Sequence, residues 1–301
     1  RIDELTKPFD TSTGAPLPPE VVAEVAELKK LIPGQREALE KPTRDIVKKL
    51  VHSLENDTDS FVCGMAAISL GRIAAQTGDQ VATRRLLIDL KKSRYSVREY
   101  EILALAIAKA PEAFEIAKDA VVGKNKMATT QAAGMIALGI LGDERGNDTL
   151  RQQVEDGSHP ILRGYAAMAL GMLGHDRSHG PIMSLVKTTK SPEAASFGAL
   201  GLAFLGKRGT SDVLIKKMTE TGNNDIAAFC VYSLGLMKDR SKLDELVQIA
   251  EKHGSFFVQS AAVAAIGYVA SAEDYPRRHL MARGFNYLMN LQMLDAYFYK
   301  L

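Results

Sequence analysis

Apolar residues in the middle of the chain recur at two nested intervals. Within YAAMALGMLG, residues 165–174, large and small apolar residues return every three or four positions, which is the spacing of one face of a helix. The same phrase then returns at a constant step of 32 residues. A glycine, or an alanine in its place, anchors each copy: Gly139, Gly171, Ala203, Gly235 and Gly267. A step of this length predicts an array of structural repeats.

The columns of the repeat predict two helices in each unit. The position before the anchor is large and apolar, whereas the positions two and five before it are small. A more polar helix precedes each phrase and is marked by apolar pairs four apart: Leu50/Leu54, Leu150/Val154, Ile182/Val186, Leu214/Met218 and Leu246/Ala250. Each repeat is therefore a predicted helix hairpin, and small residues in its second helix allow neighbouring helices to approach closely.

The first copies of the phrase are less regular. MAAISLGRI has its anchor at Gly71, and EILALAIAKA, residues 101–110, keeps the apolar character but shifts the register. Helix ends are better marked. Ser191 before Pro192 is typical of a helix start, and Gly142, Gly174 and Gly206 stand where a helix would end in a left-handed residue.

Tandem helix pairs whose second helix reads approximately AAxALGxLGD resemble the bacterial HEAT-like repeats, a class that includes phycobilisome lyase subunits. They are also similar, less closely, to exported bacterial HEAT-repeat proteins. The resemblance covers about residues 43–274. It implies an all-α fold, an α-solenoid of about seven HEAT-like hairpins. It leaves the activity open, because such repeats serve many functions.

Two segments lie outside the repeat. Residues 1–42 are rich in Pro, Thr and Gly at their start and predict an extended N-terminal arm followed by a helix. Residues 275–301 are rich in aromatic residues and predict either a cap on the last repeat or a docking segment for a partner. An apolar helical stripe runs through this segment: Leu288, Leu291, Leu294, Phe298 and Leu301.

The sequence also bears on the solubility of the protein, its compartment and the state of its cysteines. No 18-residue run lacks charge and polarity, so we expect a soluble protein with no membrane span. The compartment stays open between the cytoplasm and export, because a chain that begins at Arg1 is compatible with a removed signal peptide. Cys63 and Cys230 fall in repeats too distant for a disulfide and are predicted to be buried free thiols.

Motifs for catalysis are absent from the sequence, which has no phosphate-binding loop, nucleophile elbow or dinucleotide fingerprint. Deoxyhypusine hydroxylases, an enzymatic HEAT-repeat family, hold iron with His-Glu pairs, and no His of this chain precedes a Glu. The segment HDRSH, from His175 to His179, could ligate a metal if it were helical, but its flanking glycines predict a turn. We therefore expect a protein that is not an enzyme, with no cofactor, metal site or catalytic residue.

A cluster of basic residues surrounds one hairpin: Arg84, Arg85, Lys91, Lys92, Arg94 and Arg98. A surface that tracks phosphates would use such a cluster. A solvated helix face is the more common role of a patch this size, and the formal net charge of the chain is only +2. Nucleic-acid binding is therefore disfavoured.

The expected function is that of a non-enzymatic scaffold that binds another protein along the concave face of the second helices, as a subunit of a larger complex. The candidate contact residues are Gln131, Met135, Arg163, Val231, Gln259 and Val263, with Tyr297, Phe298 and Tyr299 near the C-terminus. For Met135, Val231 and Val263, a place in the core is an equal alternative. The alternative functions are a lyase-type or chaperone-like helper that presents a chromophore to a partner and, less favoured, a nucleic-acid-binding protein.

Overall fold

The computed structural model describes residues 44–92, 97–123, 127–207 and 209–271. The predicted arm and helix of residues 1–42 and the segment 275–301, with Tyr297, Phe298 and Tyr299, lie outside these ranges, as does Arg94. Internal contacts divide the chain into two compact units, Arg1–His52 and Ser53–Leu301. Of the first unit, residues 44–52 are described, and they are helical. The second unit holds the repeat array.

Fourteen α-helices and no β-strand make up the described residues. The first described helix is α1 (44–56). The later odd-numbered helices are the first helices of hairpins: α3 (Gln80–Lys91), α5 (Ala113–Val122), α7 (Asn147–Asp156), α9 (His179–Thr188), α11 (Thr210–Glu220) and α13 (Leu243–Lys252). The even-numbered helices are the second helices: α2 (Ser60–Thr77), α4 (Arg98–Ile107), α6 (Ala128–Leu141), α8 (Pro160–Leu173), α10 (Pro192–Leu205), α12 (Asn224–Met237) and α14 (Phe256–Ala270).

The helix ends are where the sequence places them. Gly142, Gly174 and Gly206 follow α6, α8 and α10 with left-handed φ values of 68°, 76° and 60°. Glycine adopts this conformation without the steric cost that a Cβ would add. At the start of α10, the Ser191 hydroxyl accepts a hydrogen bond from the Ala194 N–H at 3.2 Å, and Pro192 occupies the first turn. Short 3-10 turns, such as Asp176–Ser178, join the hairpins.

The core lies between the two kinds of helix. The first helices of the second unit bury a few apolar residues each, such as Leu150 and Val154 of α7, except α13, which buries Leu246 alone. The second helices pack side by side in chain order, and α10 is buried at twelve of its fourteen residues. The described part of the second unit is thus an all-α solenoid of helix hairpins, as predicted.

The anchor glycines mark the contact between successive second helices. A Cβ built on Gly235 would lie 2.5 Å from the Ala265 Cα of α14, and one on Gly139 would lie 3.1 Å from the Ala169 Cα of α8. Gly171 meets the backbone of Gly201 at the same kind of contact. In each pair the partner is the small residue two positions before the next anchor. Close helix approach therefore explains the glycines, as the sequence suggests.

The same contact resolves the irregular register of α4. A Cβ on Gly71 of α2 would meet the backbone of Ala104 in α4, with 2.8 Å to its Cα. Ala104 therefore takes the place of the small residue two before the anchor, and Ala106 takes the place of the anchor itself. Part of the extra length that displaces α4 from the constant step lies in α2, which continues six residues past Gly71, whereas α6 continues two residues past Gly139. The contact between α2 and α4 is nevertheless kept.

The two cysteines are buried free thiols, as predicted. Burial raises the pKa of the Cys230 thiol to about 12, which keeps it protonated and unreactive at neutral pH. Among the helices in the described ranges, none is both long and apolar enough to cross a membrane.

Candidate functional site

The predicted contact face of the second helices is largely core. Met135 and Val231 are both 0 % exposed. They stand four residues before Gly139 and Gly235, on the same helix face and one turn earlier, so they point toward the neighbouring second helix. The expectation that these two residues line an open trough is therefore wrong, and their alternative place in the core is correct.

Gln131 in α6 and Arg163 in α8 each form a hydrogen bond to the first helix of the same hairpin. The Gln131 side-chain amide of α6 donates to the Val121 carbonyl of α5 at 3.3 Å. The Arg163 guanidinium Nε of α8 donates to the Val154 carbonyl of α7 at 2.8 Å. Both acceptors lie near the C-terminal end of a helix, where carbonyls have no partner within the helix. These two side chains are half-buried and have a structural role.

The last two candidates on the second helices belong to α14. Gln259 is half-buried, whereas Val263 is 62 % exposed. Val263 is the equivalent of Met135 and Val231, so the same position is core in the inner hairpins and exposed at the last described helix.

Acidic side chains partly neutralise the basic cluster. The Arg85 Nη1 lies 3.3 Å from the Glu55 Oε1, and the Lys92 Nζ lies 3.9 Å from the same oxygen. Lys92 also lies 3.6 Å from the Asp89 Oδ1. Arg84 and Lys91 are exposed, and Arg98 is half-buried. The described members of the cluster therefore do not present a uniform positive stripe of the kind that tracks phosphates.

The HDRSH segment forms a turn, as predicted, and its two histidines face different hairpins. The His175 Nε2 lies 3.3 Å from the Glu144 Oε1 of the preceding turn, and the His179 Nε2 lies 3.3 Å from the Thr210 Oγ1 of the following hairpin. Burial, with Lys207 and Lys187 nearby, lowers the pKa of His179. In the ranges that the structure describes, no three His, Cys, Asp or Glu side chains come together as metal ligands would.

A row of polar contacts links successive turns. The Lys207 Nζ lies 2.9 Å from the Asp176 Oδ1, and this hydrogen bond holds the pKa of Asp176 below its usual value. The Lys242 Nζ lies 2.8 Å from the Asp212 Oδ1 in the next pair of hairpins. The Ser211 hydroxyl donates to the Asp239 Oδ2 at 2.6 Å. Each contact joins one repeat to the next, so these polar side chains have a structural role in the array.

A groove of ≈ 800 Å³ lies between α9 and α11. Its apolar lining comes from the half-buried Val213, with the buried Val186 and Ile226 beneath it. Its rim carries six charged residues: Lys187, Lys190, Lys216, Lys217, Asp212 and Glu220. The groove therefore combines an apolar floor with charges at its edge, which is the usual composition of a binding groove.

The charges at this groove do not balance. Asp212 is paired with Lys242, and the Glu220 Oε1 lies 3.7 Å from the Lys216 Nζ. The Lys217 Nζ donates to the Thr189 carbonyl at 3.3 Å. Lys187 and Lys190 are exposed and form no ion pair with other described residues. The groove thus has a net positive rim.

Sequence reasoning missed this groove. Its four lysines stand in two separate segments, LVKTTK at the end of α9 and just after it, and LIKKMTE in α11. Each segment looks like an ordinary solvated surface. Only the side-by-side packing of α9 and α11 brings them to one place. One feature of the sequence could have indicated the groove: two lysines stand near the C-terminal end of each of two consecutive first helices, α9 and α11.

The fold and the groove together define the class of protein. It is an α-solenoid of helix hairpins with a basic groove across two of its first helices. No protein family and no curated protein matches the chain in sequence. Among solved structures, human deoxyhypusine hydroxylase in complex with glycerol is similar, with 17% identity and a TM-score of 0.37, over 89% of this chain and 94% of that chain. At this identity and TM-score, the likeness carries no conclusion about activity or ligands.

Proposed function

We propose that the chain is a non-enzymatic scaffold that binds an acidic segment of a partner protein in the groove between α9 and α11. The observation that carries the proposal is the charge at the groove rim, where both acidic residues are paired and Lys187 and Lys190 are left over. An extended or helical segment with Asp or Glu beside apolar residues complements such a groove, because the apolar floor takes its apolar side.

A protein segment fits the groove better than a nucleic acid does. The groove spans two first helices, whereas nucleic-acid binding draws on many phosphate contacts along a longer basic surface. The formal net charge of +2 for the whole chain also gives little long-range attraction for a polyanion.

Charge reversal tests the proposal. The probes are a fluorescein-labelled peptide that alternates Glu with Leu and a labelled single-stranded DNA of about 20 nucleotides, measured by fluorescence anisotropy at low and moderate salt. We expect the peptide to bind and the double substitution Lys187→Glu/Lys190→Glu to weaken it by about tenfold or more, since two exposed attractions become repulsions. Lys252→Glu is the matched control, because Lys252 also lies in the last turn of a first helix but outside the groove.

The native partner is sought by cross-linking. A photoreactive residue at position 190 and another at position 252 are compared in cells of the source, and the cross-linked proteins are identified by mass spectrometry. A protein captured at position 190 alone, with an acidic segment at the cross-link, supports the scaffold. Equal peptide binding by the charge-reversed protein, tighter binding of the DNA, or identical capture at both positions overturns the proposal.

A further inference from the structure

The last described helix exposes residues whose equivalents are buried in every inner second helix from α6 onward. Met135, Ala167, Ala199 and Val231 stand four positions before their anchors and are each 0 % exposed, whereas Val263 of α14 is 62 % exposed. The anchor glycines show the same difference between α14 and the inner helices. A Cβ built on Gly139, Gly171 or Gly235 would meet the backbone of the next second helix, whereas one built on Gly267 has no neighbour within 4 Å among the described residues.

The exposed positions of α14 form one continuous face. At spacings of three and four residues, they are Phe256, Ser260, Val263, Ala264, Gly267 and Ala270. This is the spacing with which one helix packs along another. Phe256 is 81 % exposed, so the face holds a large aromatic side chain as well as small residues. In the inner helices from α6 to α12, the positions equivalent to Ser260, Val263, Ala264 and Gly267 are all buried, whereas those equivalent to Phe256 and Ala270 are exposed or half-buried. The middle of α14 therefore presents a contact face with no described helix on it.

We propose that residues 288–301 of the same chain pack on this face. These residues lie outside the described ranges. Leu288 follows Phe256 by the same 32-residue step that separates the inner anchors. The apolar stripe Leu288, Leu291, Leu294, Phe298 and Leu301 covers fourteen residues, and α14 has fifteen.

The chain between them has the length that a hairpin needs. The interval from Ala270 to Leu288 matches, within one residue, the interval from Met237 to Phe256, which holds a 3-10 turn and α13. A segment that is already tethered at this distance has a high effective concentration at the face of α14. It would cover Phe256 and Val263 before a second copy or a separate partner could.

Cysteine cross-linking in the full-length chain tests this placement. Val263→Cys is combined, one at a time, with Leu291→Cys, Met293→Cys and Tyr297→Cys, and each protein is oxidised under mild conditions. In the matched control, Val81→Cys takes the place of Val263→Cys, because Val81 of α3 is 59 % exposed and belongs to a distant repeat. Cys63 and Cys230 are buried and are retained.

We expect an intramolecular disulfide from the thiol introduced at position 263 to at least one C-terminal position, and none from the thiol introduced at position 81. Mass spectrometry of the digested monomer identifies these disulfides. A covalent dimer through position 263 would instead assign the face to a second copy and would overturn the inference.

Maleimide labelling of the single variants supplies the other readout. We expect the Val263→Cys thiol to react about tenfold or more slowly than the Val81→Cys thiol, because the packed segment shields it. Equal labelling rates without an intramolecular disulfide would mean that the face is open, or reserved for a partner, and would overturn the inference.

Discussion

Gly139 and Gly171 occupy equivalent positions in α6 and α8 but leave different amounts of room for a side chain. A Cβ on Gly139 would have its nearest neighbour, the Ala169 Cα, at 3.1 Å. A Cβ on Gly171 would overlap the backbone oxygen of Gly201 and lie 2.6 Å from its Cα. A backbone atom inside a packed helix cannot move aside cheaply, so the second contact is the more restrictive.

We therefore expect Gly171→Ala to destabilise the protein more than Gly139→Ala does. Both substitutions gain about 1 kcal/mol of helix propensity. Overpacking costs roughly 1–3 kcal/mol or more, and it should exceed that gain at Gly171 but only about equal it at Gly139. Far-ultraviolet circular dichroism during urea unfolding measures the two midpoints. Equal midpoints for both variants would show that the junction between α8 and α10 is looser than the distances indicate.

The hairpins depend on side chains that reach from the second helix to the end of the first. Arg163 and Gln131 stand at the same position of their repeats and donate to the Val154 and Val121 carbonyls. The next two repeats have alanine at this position, Ala195 and Ala227. The contact therefore belongs to particular hairpins and not to the repeat as a whole, and its loss should affect one element.

Arg163→Met tests the contribution of this hydrogen bond to α7 and α8. Methionine keeps an apolar stem of similar length but has no donor, so the Val154 carbonyl loses the guanidinium. A hydrogen bond from a charged group contributes about 1.5–3 kcal/mol, and partial exposure puts the expected loss near the lower end. Differential scanning calorimetry compares the melting temperature of Arg163→Met with that of Arg177→Met. The second variant is the control, because Arg177 is an exposed arginine of a nearby turn. A melting temperature for Arg163→Met equal to that of the control would contradict a structural role.

Across the whole array, each hairpin contacts its neighbours in the chain. The helix α8 packs against α6 and α10 among the second helices, and against α7 and α9 among the first. The polar contacts at the turns are also between adjacent repeats, as in the Lys207–Asp176 pair. Stability in such an array is close to a sum of local terms and interfaces.

A substitution in the middle should therefore act locally. We expect Gly171→Ala to increase amide hydrogen exchange in α6, α8 and α10 several-fold and to leave α2 and α14 within about twofold of the wild-type rates. Hydrogen exchange read by mass spectrometry resolves these helices. A uniform loss of protection from α2 to α14 would indicate that the array unfolds as one cooperative unit.

The sequence by itself determined the fold class, the hairpin unit and the turns. Each of these depends on residues close in the chain: the three-and-four spacing around Leu170, the left-handed Gly174, and Ser191 before Pro192. It also indicated that Cys63 and Cys230 are buried and unpaired, because repeat spacing keeps them apart.

Only the tertiary structure decided which surfaces are open. Met135, Val231 and Val263 share one column of the repeat, but two are core and one is exposed, because burial depends on whether a neighbouring described helix packs on that column. The groove between α9 and α11 could not be found in the sequence for the same reason. Within each repeat, its lysines look like ordinary solvent-exposed side chains. They form a positive rim only because two helices from successive repeats lie side by side.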